Sequence, residues 1–205
     1  MSTRATYCFF TNDSQNEIRA RHFCYIHYDG YPAGAAAYFY DTLMNPSKGN
    51  FATQFIRANQ HAELTRSHDQ HGDTEYQYDV TGSGANATIH AYRLTDDPHS
   101  ISGRVHIFSG ELHAFIAWKP ELITGFKPFK QVTIGYHGQR HMNEPMAAQI
   151  LQNPLRHLRI WRDGNRNSAN WQSCVREAQQ IVDAFPALMT DELREFGVVL
   201  QEEPA

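Results

Sequence analysis

The sequence predicts an α+β fold with a mainly antiparallel sheet built from three hairpins. Three observations lead to this prediction. Segments rich in aromatic and β-branched residues occur in pairs, separated by turn-forming residues. Two helix-forming segments follow the first pair, and an amphipathic segment near the C-terminus has apolar residues at helical spacing. Hairpins with segregated helices are typical of the α+β class.

The first hairpin is predicted from residues 4–10 and 18–28, which flank a run of polar turn formers. Its second strand ends at a corner. Asp29 can hydrogen-bond to its own backbone there, and Gly30 is free to adopt a positive φ. Pro32 fixes φ near the helical value, so we expect a helix to begin at this corner.

Two helices are predicted after the corner, over residues 33–43 and 51–58. In the first, Ala36, Tyr40 and Leu43 lie at helical spacing, and the second repeats this pattern. The residues between these segments include a proline and a glycine. Because both oppose helix formation, we expect a loop there.

The second hairpin is predicted from the period-two alternation of residues 75–80 and 87–91. Tyr76, Tyr78 and Val80 face one side, and polar residues alternate with them. A glycine-rich turn joins the two strands, so the hairpin is expected to have one polar face.

A third hairpin is predicted from residues 105–107 and 112–114, with Ser109-Gly110 as the two-residue turn. This register places the apolar residues on one face. It also makes His106 and His113 cross-strand neighbours on the more polar face.

The second half of the chain is predicted to be less regular. Residues 119–167 contain several glycines and prolines, and we expect loops, a short helix over 146–151 and a strand or helix over 155–161. An amphipathic helix is clearer over 171–185, and Thr190 can cap a last helix.

The 205 residues suit one sizeable domain or a domain with a small addition. We expect an α+β core domain over residues 1–118. Residues 119–205, the basic irregular segment and the C-terminal helices, are expected to pack on the same core.

The composition favours a soluble, cytoplasmic protein that has no membrane partner. The hydrophobic content is 41%, and no apolar run approaches the roughly 18 residues of a membrane span. The N-terminus lacks the pattern of a signal peptide. Three cysteines, Cys8, Cys24 and Cys174, are expected to be reduced thiols.

The charges are unevenly distributed. Residues 119–167 hold eight Lys and Arg against three acids, whereas the last 38 residues hold two against seven. An anionic partner could bind the basic segment, or the acidic C-terminal helices could pack against it within the molecule. We favour the internal interpretation, or one in which these charges are simply solvated. The alternative is a nucleic-acid-binding protein in which Arg156, Arg159 and Arg162 contact phosphates and nearby aromatic rings stack on bases.

Histidine is unusually frequent, with twelve residues, and four candidate metal ligands lie close together in sequence. His61, His68, His71 and Asp73 supply imidazole and carboxylate groups, which bind zinc and other divalent ions. His61 is expected near a helix end and the others in a polar loop, so a solvated loop with capping histidines and aspartates is the simpler interpretation. No other cofactor is expected.

The common catalytic and phosphate-binding motifs do not occur. The sequence has no Gly-x-x-x-x-Gly-Lys-Ser/Thr, no Gly-x-Ser-x-Gly and no Gly-x-Gly-x-x-Gly. We therefore expect a protein without catalytic activity.

Three sequence features resemble a group of small, uncharacterised proteins of bacteriophages, prophages and plasmids. These are Ser-Thr-Arg-Ala at residues 2–5, Tyr-Ile-His-Tyr-Asp-Gly-Tyr-Pro at 25–32 and Asp-Thr-Glu-Tyr-Gln-Tyr-Asp-Val at 73–80. The resemblance covers roughly residues 1–95. Ile26 and Tyr28 depart from the commoner Arg and Trp of the motif. The resemblance implies a mobile-element origin and a bacterial host cytoplasm.

We expect from these features an accessory protein that binds a host protein or complex, for instance to inhibit a bacterial defence system. Tyr28, Asp29 and Tyr31 at the corner are candidate partner contacts, together with the three arginines of the basic segment. For Tyr28 and Tyr31, which flank the turn between a hairpin and a helix, anchoring of the core is the favoured role. The alternatives are nucleic-acid binding and a metal-dependent hydrolase in which the ion bound by the histidine cluster activates water.

Overall fold

The computed structural model describes residues 3–12, 19–95, 103–135, 138–162 and 164–200. The chain forms two compact units, Met1–Phe126 and Lys127–Ala205. We refer to them as the first and second units. The sequence suggests a boundary after residue 118. In the structure the division falls after Phe126, so the loop over residues 119–126 belongs with the first unit.

The first unit contains strands and helices in an α+β arrangement. Its strands are β1 (Ala5–Asn12), β2 (Arg19–Ile26), β3 (Ala62–Thr65), β4 (Tyr76–Thr81), β5 (Thr88–Leu94) and β6 (Arg104–Glu111). Its α-helices are α1 (Pro32–Met44), α2 (Phe51–Ala58) and α3 (Leu112–Trp118). A single 3-10 turn, His68–Gln70, lies between β3 and β4.

The six strands form one mixed sheet in the order β3-β2-β1-β4-β5-β6. The predicted α+β class is confirmed, as are the first hairpin (β1–β2) and the second (β4–β5). The prediction missed that β1 and β4 pair in parallel. This pair arises because the chain passes through α1, α2 and β3 before it returns to the free edge of β1.

Aromatic rings form much of the core between the sheet and its helices. Alternation along β1 and β4 points one set of side chains at α1, α2 and α3, where large rings are buried. The ring pairs that join the sheet to the three helices are Tyr7–Phe39, Phe9–Phe55 and Tyr78–Phe115.

The opposite face of the sheet carries mainly polar and aromatic side chains, and we call it the polar face. Strand pairing places Thr6 and Cys8 of β1 beside Gln77 and Asp79 of β4 on this face. Tyr25 of β2 points to the same side, because it pairs with Thr6.

The predicted third hairpin is wrong. The strand β6 pairs with β5 over its whole length, and the chain then enters α3 at Leu112. Leu112, Phe115 and Ile116 lie at helical spacing and are all fully buried, so packing against the core selects the helix. His106 consequently pairs with Tyr92, and His113 lies on α3.

The corner after β2 forms as predicted, and α1 begins at Pro32. The predicted role of Gly30 needs correction, because Asp29 has the positive φ, 51°. Gly30 is required for a close approach: a Cβ on it would lie 2.6 Å from the backbone nitrogen of Ala5. Its own N–H donates to the carbonyl oxygen of Thr3 at 2.8 Å.

The second unit is more helical than the sequence suggested. It contains β7 (Lys130–Thr133), β8 (Gln139–Met142), α4 (Glu144–Ile160), α5 (Ala169–Ala184) and α6 (Asp191–Glu195). The strands form a two-stranded antiparallel ribbon. Asn143 caps α4, and the predicted cap at Thr190 is confirmed, since its hydroxyl accepts from the Leu193 N–H.

A single helix replaces the two short segments predicted around Pro154. Proline normally disfavours a helix interior, since it lacks an N–H. Here Leu151, Leu155 and Leu158 are buried with Trp171 in the core of the second unit, and their packing keeps the helix continuous. The amphipathic helix predicted over 171–185 is α5.

Among the described residues, no helix combines the length and the apolar character needed to cross a membrane.

Candidate functional site on the polar face of the sheet

The segment between β3 and β4 lies across the polar face. Its 3-10 turn is capped by Ser67, whose hydroxyl accepts from the Asp69 N–H at 3.3 Å. Gln70 ties the turn back to β3, because its side-chain oxygen accepts from the Thr65 hydroxyl and the Arg66 N–H, both at 2.8 Å. These contacts fix the position from which His68 reaches the sheet.

His68 is held by polar contacts on both ring nitrogens. Its Nδ1 lies 2.6 Å from Thr6 Oγ1, and its Nε2 lies 2.9 Å from Asp79 Oδ1. The ring of Phe23 packs edge-on against the imidazole, with centroids 5.2 Å apart. The His68 side chain therefore has a defined orientation over the β1–β4 pair.

Cys8 completes a compact group of three side chains that carry potential metal-ligand atoms. One ligand atom each from Cys8, His68 and Asp79 lies within 4.8 Å of the other two. Burial, and then the nearby Asp79 carboxylate, raise the pKa of the Cys8 thiol to about 12. In this state the thiol is protonated at neutral pH and is a poor nucleophile.

Asp73 makes a second polar cluster beside the first. Tyr25 Oη donates to Asp73 Oδ1 at 2.9 Å, and Arg4 Nε lies 3.1 Å from Asp73 Oδ2. The hydrogen bond from Tyr25, and then the charge of Arg4, hold the pKa of Asp73 below its ordinary value. The carboxylate therefore links the starts of β1 and β4 to β2.

A row of rings in contact with one another runs along β2 from this cluster to the corner. His71 stacks on Tyr25 at 3.8 Å with an interplanar angle of 7°. His27 packs edge-on to Tyr25 at 4.6 Å, and Tyr28 follows at 6.2 Å from His27. We call His71, Tyr25, His27 and Tyr28 the aromatic row. It ends at Tyr28, which is 58% exposed.

The opposite end of the polar face has a cavity of about 480 Å³. Arg104 lies beside it, with Cζ 4.3 Å from the centroid of the Tyr92 ring and Nη1 3.4 Å from Gln77 Oε1. The cavity lining also includes His68 and Asp69, so it reaches the histidine turn.

The four residues predicted as metal ligands do not form one group. His68 joins Cys8 and Asp79, whereas Asp73 bonds to Tyr25 and Arg4. His71 stacks on Tyr25, and its Nε2 lies 3.2 Å from Thr65 Oγ1. His61 is an exposed residue between α2 and β3.

The three corner residues differ in exposure and contacts. Tyr28 is exposed, so it does not anchor the core. Asp29 is exposed but has a structural role, since its carbonyl oxygen lies against Gly34 of α1. Tyr31 is half-buried, and burial, together with the charge of Asp29 and a hydrogen bond to it, raises the pKa of its phenol.

The basic segment is partly neutralised within the second unit, as the favoured interpretation expected. Arg159 forms two hydrogen bonds of 2.7 Å with Glu192, and Arg162 forms one of 2.5 Å with Glu195. Arg156 is exposed. Glu192 and Glu195 of α6 therefore pair with Arg159 of α4 and with Arg162 of the turn after it.

The sequence interpretation missed Thr6, Cys8 and Asp79. The sequence does show which side of a strand each residue faces. Thr6 and Cys8 are two residues apart on one predicted strand, so they share a face, and Asp79 lies on the polar side of another predicted strand. Only the parallel pairing of β1 with β4 brings Cys8 opposite Asp79. That pairing depends on residues far apart in sequence.

Fold and site together define an α+β protein whose mixed sheet is packed by helices on one face and carries polar clusters on the other. Comparison of the chain with models of protein families, with curated proteins and with solved structures finds no match.

Proposed function

We propose that the protein is a non-catalytic accessory factor of a mobile genetic element that binds a host protein or complex. Inhibition of a bacterial defence system is one such role. The resemblance of residues 2–5, 25–32 and 73–80 to phage and plasmid proteins supports the origin. The protein then acts in the cytoplasm of a bacterial host.

The observation that carries this proposal is the exposed end of the aromatic row. Tyr28 is 58% exposed, yet its position is constrained. Its carbonyl oxygen accepts a hydrogen bond of 2.9 Å from the Tyr38 hydroxyl, and its ring lies beside His27. An exposed tyrosine on a rigid support loses little entropy on binding, and tyrosine is enriched among residues that dominate interface energies.

The neighbours of Tyr28 indicate what kind of partner surface fits. His27 Nε2 lies 3.2 Å from Glu63 Oε1, so polar groups border the aromatic ring. An aromatic anchor surrounded by polar groups is the usual arrangement of a protein–protein interface. We infer a partner that offers an apolar pocket with polar groups at its edge.

Affinity capture from the native host, followed by titration of the purified partner, tests this function. Tyr28→Ala should weaken the measured affinity for that partner by about 2 kcal/mol or more, as expected for an interface anchor. Its melting temperature should stay within about 2 °C of the parent, since the side chain is exposed.

Leu122→Ala is the matched control, because Leu122 is 48% exposed in the same unit but lies outside the aromatic row. It should bind the partner like the parent protein. Equal affinities for the parent and Tyr28→Ala would contradict the proposed contact.

Nucleic-acid binding by Arg156, Arg159 and Arg162 is the main alternative, and it has less support. Two of these arginines already contact carboxylates, so their positive charge is partly neutralised within the unit. A duplex-binding protein would lose affinity steeply between about 50 and 200 mM salt. Duplex binding that weakens in this way with salt, and that is absent in Arg156→Glu, would favour this alternative over a protein partner.

The hydrolase alternative based on His61, His68, His71 and Asp73 is also weakened. Both carboxylate oxygens of Asp73 have partners, and His71 is stacked on Tyr25. A metal at this set would have to break these contacts.

A further inference from the structure

Cys8, His68 and Asp79 form a group that the proposed binding function does not use. Their sulfur, nitrogen and oxygen ligand atoms all lie within 4.8 Å of one another. We propose that this group is a binding site for a divalent transition-metal ion, with zinc as the preferred ion.

The donor set fits zinc in type and number. Thiolate, imidazole and carboxylate are the three kinds of protein ligand that zinc takes, and three of them leave a fourth position for water or another ligand. A thiolate beside an imidazole disfavours magnesium and calcium, which prefer oxygen ligands.

The ligands come from elements that fix their spacing. Cys8 and Asp79 are Cα partners on the paired strands β1 and β4, so the backbone ladder holds them side by side. His68 reaches them from the 3-10 turn that Ser67 caps. A metal would therefore join the turn to two central strands of the sheet.

Thr6 supplies the outer contact that a metal-binding histidine requires. Its Oγ1 lies 2.6 Å from His68 Nδ1. In a neutral imidazole without an ion, the carboxylate of Asp79 can only accept, so Nε2–H donates to it and the Thr6 hydroxyl donates to Nδ1. With an ion on Nε2, the proton resides on Nδ1 and donates to Thr6 Oγ1. A threonine hydroxyl serves both states, because it can donate or accept.

An ion can reach the group from the cavity. Cys8 is only 1% exposed, whereas the side chains of His68 and Asp79 are 15% and 21% exposed. His68 also lines the cavity of about 480 Å³. The Cys8 thiol thus forms the buried end of the site, and His68 is the ligand that faces the cavity.

Titration of the chelator-treated protein with Co²⁺ tests the proposal. One ion should bind per chain, with the thiolate-to-cobalt charge-transfer absorption that a cysteine ligand produces. Cys8→Ser should remove that absorption, and His68→Gln and Asp79→Asn should each weaken binding. Thr6→Val, which keeps the shape of the side chain, should weaken binding about 10–100-fold through the lost outer contact.

Three variants serve as controls and should bind Co²⁺ like the parent protein. Cys174→Ser removes a cysteine of the second unit, and His61→Gln and His71→Gln remove histidines of the sequence-predicted set. Charge-transfer absorption that survives Cys8→Ser or disappears in Cys174→Ser would overturn the proposal.

X-ray absorption of the zinc-loaded parent protein provides a test that does not depend on a folded variant. The expected coordination shell has one sulfur at about 2.3 Å and nitrogen or oxygen ligands at about 2.0–2.2 Å. A shell without sulfur, or a failure to retain zinc on gel filtration, would exclude the site.

Discussion

The rings of Tyr7 and Tyr78 stack in the core of the first unit, with centroids 4.9 Å apart and planes inclined by 21°. Both residues are fully buried, but their hydroxyl groups have different surroundings. Tyr78 Oη donates to the carbonyl oxygen of Gly30 at 2.8 Å. Within the described part of the chain, Tyr7 Oη has no hydrogen-bond partner.

Tyr78→Phe should destabilise the protein. The substitution keeps the stacked ring but removes the donor to the Gly30 carbonyl, which lies where the corner meets β1. A buried acceptor that loses its donor costs about 1–3 kcal/mol. Urea unfolding, with the change in unfolding free energy taken from the midpoint, measures this loss.

Tyr7→Phe should have the opposite effect or none. It removes a buried hydroxyl that has no partner, so the folded state loses a desolvated polar group and no hydrogen bond. The two variants differ only in which of the stacked rings loses its oxygen. Equal destabilisation of both would show that the Tyr78–Gly30 hydrogen bond is not the cause.

Gly34→Ala should destabilise α1, although alanine is normally the better helix former by about 1 kcal/mol. A Cβ on Gly34 would lie 1.8 Å from the carbonyl oxygen of Asp29, which is backbone and cannot move aside alone. The strain should exceed the helix preference and cost about 1–3 kcal/mol or more in thermal or urea unfolding.

Gly72→Ala is the matched control for this substitution. No described atom lies within 4 Å of a Cβ built on Gly72, and its φ is not in the left-handed region. Its stability should equal or slightly exceed that of the parent protein, because alanine restricts the unfolded chain. A Gly34→Ala variant as stable as Gly72→Ala would contradict the close contact between the Asp29 carbonyl oxygen and Gly34.

The locally encoded features were predictable from the sequence. Pro32 marks the start of α1, Thr190 caps α6, and the alternation of β4 and β5 specifies a hairpin. Each depends on residues close together in the chain. Residues 112–114 are predicted as a strand but begin α3, since a short apolar run fits a strand or a helix equally well. Burial of Phe115 against Tyr78 resolves this ambiguity in favour of α3.

The long-range features were not predictable. The β1–β4 pairing joins Cys8 to Asp79 across 70 residues, and no local pattern specifies it. The candidate metal group depends on that pairing, so only His68 of its three ligands was identified from the sequence. The proximity of His68 and His71 in sequence suggested a shared site, but one contacts β1 and β4 while the other stacks on β2.

Asp73→Asn should reduce stability at neutral pH, and the reduction should disappear in acid. The pKa of Asp73 in the folded protein lies below the ordinary 3.8, because Tyr25 and Arg4 favour the charged carboxylate. The unfolded chain therefore binds the proton more readily. The stabilisation is fully present above pH 3.8 and is lost as the pH falls through the lower folded-state pKa.

Urea unfolding of the parent protein and Asp73→Asn between pH 7 and pH 3 measures this effect. The difference in unfolding free energy should be constant at the higher pH values and should shrink only below about pH 4. Asp69→Asn, which changes an exposed aspartate of the same loop, should show a small difference throughout. A difference in unfolding free energy between the parent and Asp73→Asn that persisted unchanged at pH 3 would contradict this prediction. The stabilisation would then not depend on the charge of the carboxylate, and the role of Asp73 would be that of a neutral hydrogen-bonding group.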